Sequence, residues 1–508
     1  MSDPDTEATR PGEESSSTTR DVPASTAPDV CPDATERGRG TEPDDGAGSD
    51  GWRRRTVLRR AIAGTAGLLS LSGCGGQRDR NRTTDGRSSP PQRSPSSTAT
   101  PIPPPFESVT NLADLGVEPD GDEPIGEVIK DAASDGELLV LPAGEYTIED
   151  RIDLTGLDRF GIVGDGTTIV PTAGTSGTLF YIGGEGAIHI RNLQFDVSAE
   201  GTHIRALDVR APDQLRISDV SVTGRLDGGR GPVRVDVTDP DGSGVVERLR
   251  LPDGSVAGER VTGCYVGDDN RGEITFADCH IVGFSDNGLY ADPSLGRIVV
   301  EGGYYANSGI ANVRVRPGSI VRNVHVRCDD SDRDFDNMRG IRLTNSEAQA
   351  DAKPPLIENC RVELLDVSYS DGGITLATNV PSMTVRNTEI RIDVDDVNGI
   401  WAKTPVEALQ EHESELWVDC EDVTVTGDAD NEFAIKIDGR NKSTLTGIDI
   451  SHAADNRNGI GFSRSYDNIL RDATVEVGGV PIILQDATVE TIDTNVTPDE
   501  IETRTREE

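Results

Sequence analysis

The side chains best suited to chemistry recur inside one short phrase of alternating residues. Its instances are Gly-Leu-Tyr-Ala (288–291), Asn-Val-Arg-Val (312–315), Gly-Ile-Arg-Leu (340–343), Gly-Ile-Thr-Leu (373–376), Gly-Ile-Trp-Ala (399–402), Ala-Ile-Lys-Ile (434–437) and Gly-Ile-Gly-Phe (459–462). In a strand the apolar members point inward and the residue between them points out. The outward positions are Tyr290, Arg314, Arg342, Thr375, Trp401, Lys436 and Gly461. Two residues further on stand Asp292, Arg316, Thr344, Lys403, Asp438 and Ser463. Arg, Lys and aromatic rings therefore gather on one predicted face, in a chain with only five Lys among its 49 basic residues. Rings of this kind pack on the apolar faces of sugars, and Arg or Lys pairs with carboxylates or sulfates. Tyr290, Arg316, Trp401 and Lys403 are the candidate substrate-binding residues. Acidic loops flank the same face, and Asp330, Asp332, Asp334, Asp366 and Asp371 are candidate Ca²⁺ ligands. The run DSDRDFDN lacks the turn glycine and terminal Glu of an EF-hand loop.

A second phrase supplies the elements that position these residues. It reads apolar, any, Asn/Asp/Gly, apolar, any, apolar: IRNLQF, ISDVSV, VTGCYV, FADCHI, VEGGYY, VRNVHV, IENCRV, VRNTEI, CEDVTV, LTGIDI and LRDATV. All eleven third positions, from Asn192 to Asp472, are the residue types that best tolerate left-handed backbone. A sharp bend between two short strands requires that conformation. A fixed bend motif with loops of variable length predicts the coils of a solenoid. The expected fold class is all-β, a parallel β-helix of about eleven coils over 107–490. Residues 225–258, two alternating runs around Pro-Asp-Gly-Ser-Gly, read as an inserted hairpin, and 491–508 as a polar tail.

The bend motifs, with LADLGVEPDGDEPIGEVIKDAASDGELLVLPAGEYTI and IVGDG ahead of them, resemble the right-handed parallel β-helix of the pectate-lyase-like superfamily. The front segment is similar to that family's N-terminal cap, with one amphipathic helix near 124–133. The physics agrees, because an open solenoid end exposes strand edges and apolar side chains that a helix can cover. The resemblance implies a groove along the second strand of each coil. It also implies lyase chemistry in which an Arg or Lys abstracts the proton beside a uronate, with Arg314, Arg342 and Lys436 in that role. The functional expectation is an anionic-polysaccharide-binding β-helix protein that cleaves by β-elimination. The alternative is a non-enzymatic structural or adhesion module at the cell surface; the fold itself hosts both.

The ends and the composition bound the rest. The chain has 508 residues and a formal net charge of −41. A field of that sign repels phosphate, which argues against nucleic acid as partner. Scarce Lys and abundant Asp resemble the composition of proteins from extreme halophiles, in which hydrated carboxylates stay screened by salt. A cation-binding acidic surface is the competing reading. Residues 1–50 cannot bury a core. Arg54 and Arg55 with Thr-Val-Leu after them resemble a twin-arginine export signal, and Leu71-Ser72-Gly73-Cys74 resembles a lipobox. These patterns predict a leader over 1–73, lipidation at Cys74, and a Ser/Thr/Pro-rich stalk over 74–106. The expected location is the outer face of the cytoplasmic membrane. Cys264, Cys279, Cys328, Cys360 and Cys420 lack zinc-ligand spacing and read as buried thiols. No serine-nucleophile elbow, phosphate loop or dinucleotide fingerprint is present.

Overall fold

The computed structural model describes residues 106–504, apart from 121–122, 230 and 413–414. Arg54, Arg55 and Cys74 lie outside the described residues. What is described is one parallel β-solenoid of about 14 turns with few helices. Three ladders run its length. The first passes from Ser108–Asn111 through Glu137–Leu141 and onward to Thr444–His452, each strand hydrogen-bonded in parallel to its counterparts one coil before and after. The second ladder follows each bend, and the third carries the Gly-Ile-x-apolar phrase.

The bends form as their residue types predict. Backbone φ is 54° at Asn192, 55° at Asp219, 51° at Asp278, 57° at Asn323, 53° at Asn359 and 66° at Gly447. One assignment changes. VTGCYV is not a bend: Cys264–Val266 belongs to the third ladder, between Val233–Val237 and Asn287–Ala291. The bend of that coil is Arg248, at φ 53°. An Arg in left-handed backbone is tolerated there because Asp219, the bend one coil below, holds its guanidinium by Nε at 2.6 Å and Nη2 at 2.9 Å.

The segment 225–258 is therefore not a projecting hairpin. Val233–Val237 pairs in parallel with His203–Ala211, and Ser243–Glu247 pairs in parallel with Leu215–Ser218 and Glu273–Ala277. The two alternating runs belong to different ladders of one ordinary coil, and Pro-Asp-Gly-Ser-Gly turns the corner between them. The polar tail is also corrected in part. Ile482–Thr494 and Ile501–Arg504 continue the stack in parallel register, so the solenoid extends beyond residue 490. The coil past residue 490 and the coils ahead of IRNLQF account for the larger number of turns, whereas exchanging the VTGCYV bend for Arg248 leaves the count unchanged.

Inside, like residues stack on like. Val246, Phe276, Val300, Val321 and Ile357 succeed one another in the first ladder, all buried. Val313, Ile341, Ile374, Ile400 and Ile435 do the same in the third. Burial of each such side chain is worth about 1.5–3 kcal/mol. The glycine opening the phrase is a close-approach position: a Cβ on Gly340 would sit 2.3 Å from the Gly373 carbonyl oxygen, and one on Gly399 2.4 Å from that of Ala434. The expected N-terminal helix is present as α1 (Gly126–Ala132), with Ile125 and Ile129 buried over the first coils. All five described cysteines are free and buried. Burial pushes the Cys279, Cys328 and Cys420 thiols up to about 12, so they stay protonated and inert. Among the described residues no helix is long and apolar enough to cross a membrane.

Candidate functional site

Strand register places the outward residues in one row. Tyr290 stands opposite Arg314, Arg314 opposite Arg342, Arg342 opposite Thr375, Thr375 opposite Trp401, Trp401 opposite Lys436, and Lys436 opposite Gly461. Neighbouring strands lie about 4.8 Å apart, so Arg314 and Lys436, four steps apart, are roughly 19 Å from each other. The row also extends upstream, where sequence reasoning missed it: Tyr181, Asp208, Arg234 and Tyr265 precede Tyr290 in register. The signal was available in Leu-Asp-Val (207–209) and Val-Arg-Val (233–235), which alternate as the downstream phrases do. The hairpin reading concealed the second of these.

The row's charged groups are held by partners from the loops around them. Arg314 Nε donates to Asp292 at 2.8 Å, and its guanidinium lies 4.2 Å from the centre of the Tyr290 ring. Tyr290 packs edge-on against Tyr265 with ring centres 5.3 Å apart. Burial pushes the Tyr290 phenol well above its ordinary value, so it is a proton-bearing group. Downstream, Trp401 Nε1 donates to Asp438 at 2.8 Å. Lys403 and Lys436 stand 4.9 and 4.7 Å from the Trp401 ring centre, within cation–π range. Lys436 also donates to Glu432 at 3.1 Å. Burial raises the Asp438 carboxyl above its ordinary value, with the Trp401 hydrogen bond pulling the other way.

The candidate Ca²⁺ ligands are placed differently from expectation. Asp371 accepts from Arg339 Nε at 2.7 Å and from Lys403 Nζ at 3.0 Å, all three side chains being buried. Burial raises the Asp371 carboxyl, but the Arg339 and Lys403 charges outweigh it and hold it well below the usual carboxylate range. Asp330 accepts from Arg333 at 2.9 Å, and Asp332, Asp334 and Asp366 are exposed. Among the described residues no three His, Cys, Asp or Glu side chains form a group able to hold a metal ion. Asp371 serves as the anchor of two buried bases. Arg316 is likewise drawn off the row: it lies past the end of Ala311–Val315 and its Nη1 donates to the Gly296 carbonyl.

Two participants were not read from the sequence. Arg339 is buried, as is Arg342 of the same strand. Tyr369 lies in the loop before Gly372–Leu376, its ring 55% exposed and its hydroxyl donating to Asp371 at 3.0 Å. Partial burial and the Asp371 charge push its phenol up to about 12. No strand periodicity marks Tyr369, because only the fold of the loop turns it back to Asp371. The centre of the face is thus a linked set: Tyr369, Asp371, Arg339, Lys403, Trp401, Asp438, Lys436 and Glu432. It presents an exposed phenol, an indole and an ammonium group at the surface over buried ion pairs.

No family model and no curated protein sequence matches the chain. Among solved structures, the Streptococcus pneumoniae surface protein and adhesin PfbA is similar at 11% identity and a TM-score of 0.36, over 78% of this chain and 97% of that one. The A-module of the Azotobacter vinelandii mannuronan C-5 epimerase AlgE4 is similar at 16% identity and a TM-score of 0.36, over 75% of this chain and 99% of that one. The catalytic domain of a GH87 alpha-1,3-glucanase, in complex with tetrasaccharides, is similar at 13% identity and a TM-score of 0.33, over 78% and 70%. The chain's own ladders and register make it a parallel β-solenoid.

Proposed function

We propose that the third-ladder face binds an anionic polysaccharide and acts on it by β-elimination. The supporting observation is the single in-register row Tyr290–Arg314–Arg342–Thr375–Trp401–Lys436, in which two aromatic rings and three cations stand at the coil spacing. Rings offer the sugar faces a packing surface, and the part-exposed Lys436 offers its carboxylates a charge-assisted hydrogen bond, with the buried Arg314 and Arg342 adding positive charge beneath. The reaction removes the proton next to the uronate carboxylate and expels the glycosidic oxygen. Arg314, Arg342 and Lys436 are the candidate bases, and the expelled glycosidic oxygen takes its proton from water.

A second reading, a non-enzymatic surface module, is favoured by one feature: Arg314 and Lys436 each already hold a carboxylate partner. An arginine side chain, protonated in proteins whatever its partner and here paired with Asp292, binds anions and does not abstract protons. In either reading the protein is exported through Arg54 and Arg55 and anchored to the membrane through lipidated Cys74.

The test is glycan binding together with ultraviolet detection of the unsaturated uronate product. Trp401→Ala is expected to weaken binding of polyuronate about tenfold, as loss of a ring contact and its cation partners costs roughly 1–2 kcal/mol. Binding without unsaturated product from any polyuronate selects the surface-module reading. Absence of binding to every acidic glycan overturns both the ligand class and the lyase chemistry.

A further inference from the structure

Beside the row, where the third-ladder strands end, three successive coils leave a cleft of about 200 Å³. Its walls are Thr404 and Gln410 from the coil of Trp401, Gly439 and Asn441 from the coil of Lys436, and Arg464 and Tyr466 from the next. The volume is below the ~300–1,000 Å³ of sites for drug-sized ligands and suits a single sugar ring. The cleft is built rather than left over. Gly439 opens it, since a Cβ there would stand 2.9 Å from Pro405 Cδ. A register shift between Ser465 and Asn468, with φ of 49° at Arg464 and 57° at Asp467, turns Arg464 and Tyr466 out of the regular stack. Bulges and strained backbone of this sort re-aim side chains at working sites.

The positions are fixed from beneath. Arg440 is fully buried and donates to the carbonyls of Val380, at 2.8 Å, and Lys403, at 2.9 Å, tying the coil of Gly439 to that of Thr404. Asn468 Oδ1 accepts from Ser443 N at 3.1 Å, and its Nδ2 donates to Thr488 O at 2.9 Å. The Tyr466 backbone N–H donates to Asn441 Oδ1 at 2.9 Å, and its hydroxyl to Asp486 at 2.6 Å, leaving a ring that is 41% exposed. Arg464 Nη2 donates to Thr404 Oγ1 at 2.7 Å, which takes one of the five guanidinium N–H groups.

We infer that this cleft is a subsite for one uronate ring of the bound glycan, its carboxylate on Arg464 and its apolar face on Tyr466. The inference rests on the reading of the row as a glycan face. It makes specificity for acidic sugars a property of a lateral pocket, with the row as the binding surface beside it.

The test uses the full-length chain and a galacturonate trimer, with maltotriose as the neutral control. Arg464→Met and Tyr466→Ala are each expected to weaken trimer binding about tenfold or more, as for a charge-assisted hydrogen bond. Tyr466→Phe, which keeps the ring, is expected to stay within about twofold of wild type. Soaking galacturonate into crystals should place it in the cleft. Trimer binding that falls with Trp401→Ala and is untouched by Arg464→Met and Tyr466→Ala overturns the subsite while leaving the row intact. Equal weakening for maltotriose overturns the assignment of the carboxylate to Arg464. No trimer binding by a wild type that binds another acidic glycan overturns the uronate assignment alone, and no binding of any acidic glycan overturns the row's reading with it.

Discussion

Asp371 concentrates the energetics of the face at one residue. It is the common partner of Arg339 and Lys403, both buried. Removing the charge leaves two cations without their counter-ion in a desolvated place, which costs about 3–5 kcal/mol for a buried pair. Asp371→Asn should therefore lower the free energy of unfolding by roughly that amount in denaturant titrations, against ±0.5 kcal/mol for a surface change such as Asp332→Asn. The pH dependence has a definite sign. Asp371 is held below its unfolded value of ~3.9, so its contribution is complete above that pH and is lost as pH falls further. Tyr369→Phe removes only the hydrogen bond at the exposed edge and should cost about 1 kcal/mol. The outward row itself was legible residue by residue, because period-two alternation dictates which side chains leave the core. The partners of Asp371 were not legible for a physical reason: an acidic loop residue reads the same in sequence whether it meets water, an ion or two buried bases.

At the level of the coil, the bend is the element that everything else follows. Left-handed φ at Asn323 is 57°, and the side chain reaches Glu301 of the coil below. A β-branched residue cannot adopt that backbone without strain, so Asn323→Val should cost about 1–3 kcal/mol, whereas Asn323→Gly should be close to neutral. A comparison of thermal midpoints for the two variants checks this. The misreading of 225–258 belongs to this scale too. Its bend carries Arg248, outside the Asn/Asp/Gly set, and what makes Arg248 acceptable is Asp219 from the neighbouring coil. A contact between residues 29 apart leaves no local mark. Once that bend was missed, two strands of different ladders looked like one hairpin, because alternation alone does not say which strand a strand pairs with.

For the whole molecule, acid sensitivity follows from two histidines. His189 and His452 are buried, and burial pushes both down to about 4. Their folded values lie below the unfolded ~6.5, so the unfolded chain binds more protons between those limits. Stability should fall as pH drops from about 6.5 to 4, as both imidazoles take up protons in the unfolded chain first. His452→Gln should flatten the lower part of a plot of unfolding free energy against pH. Export is tested apart from folding: Arg54→Lys with Arg55→Lys should retain precursor inside cells, and Cys74→Ser should release the protein from membranes in fractionation. A net charge of −41 sets the background for all binding. Against it, the part-exposed Lys436 of the row and the exposed Arg464 of the cleft beside it are a local exception that long-range repulsion makes selective for ligands able to make close contact.

The amino-acid sequence alone determined that the chain is a coil repeat, where most bends fall, which residues point inward, and that five thiols are buried. Each of these depends on local backbone sterics or on strand alternation, which neighbouring residues carry in full. Only the tertiary structure decided what lies next to what across coils. Stacking brought Asp371 to Arg339 and Lys403, returned Tyr369 to the same group, made 225–258 an ordinary coil, and opened a cleft between Thr404, Gly439 and Arg464. Those partners lie roughly 20 to 60 residues apart along the chain when they are not side by side, and variable loops separate the repeats. The register of one coil on the next is set by the packed core as a whole, so no local pattern encodes it.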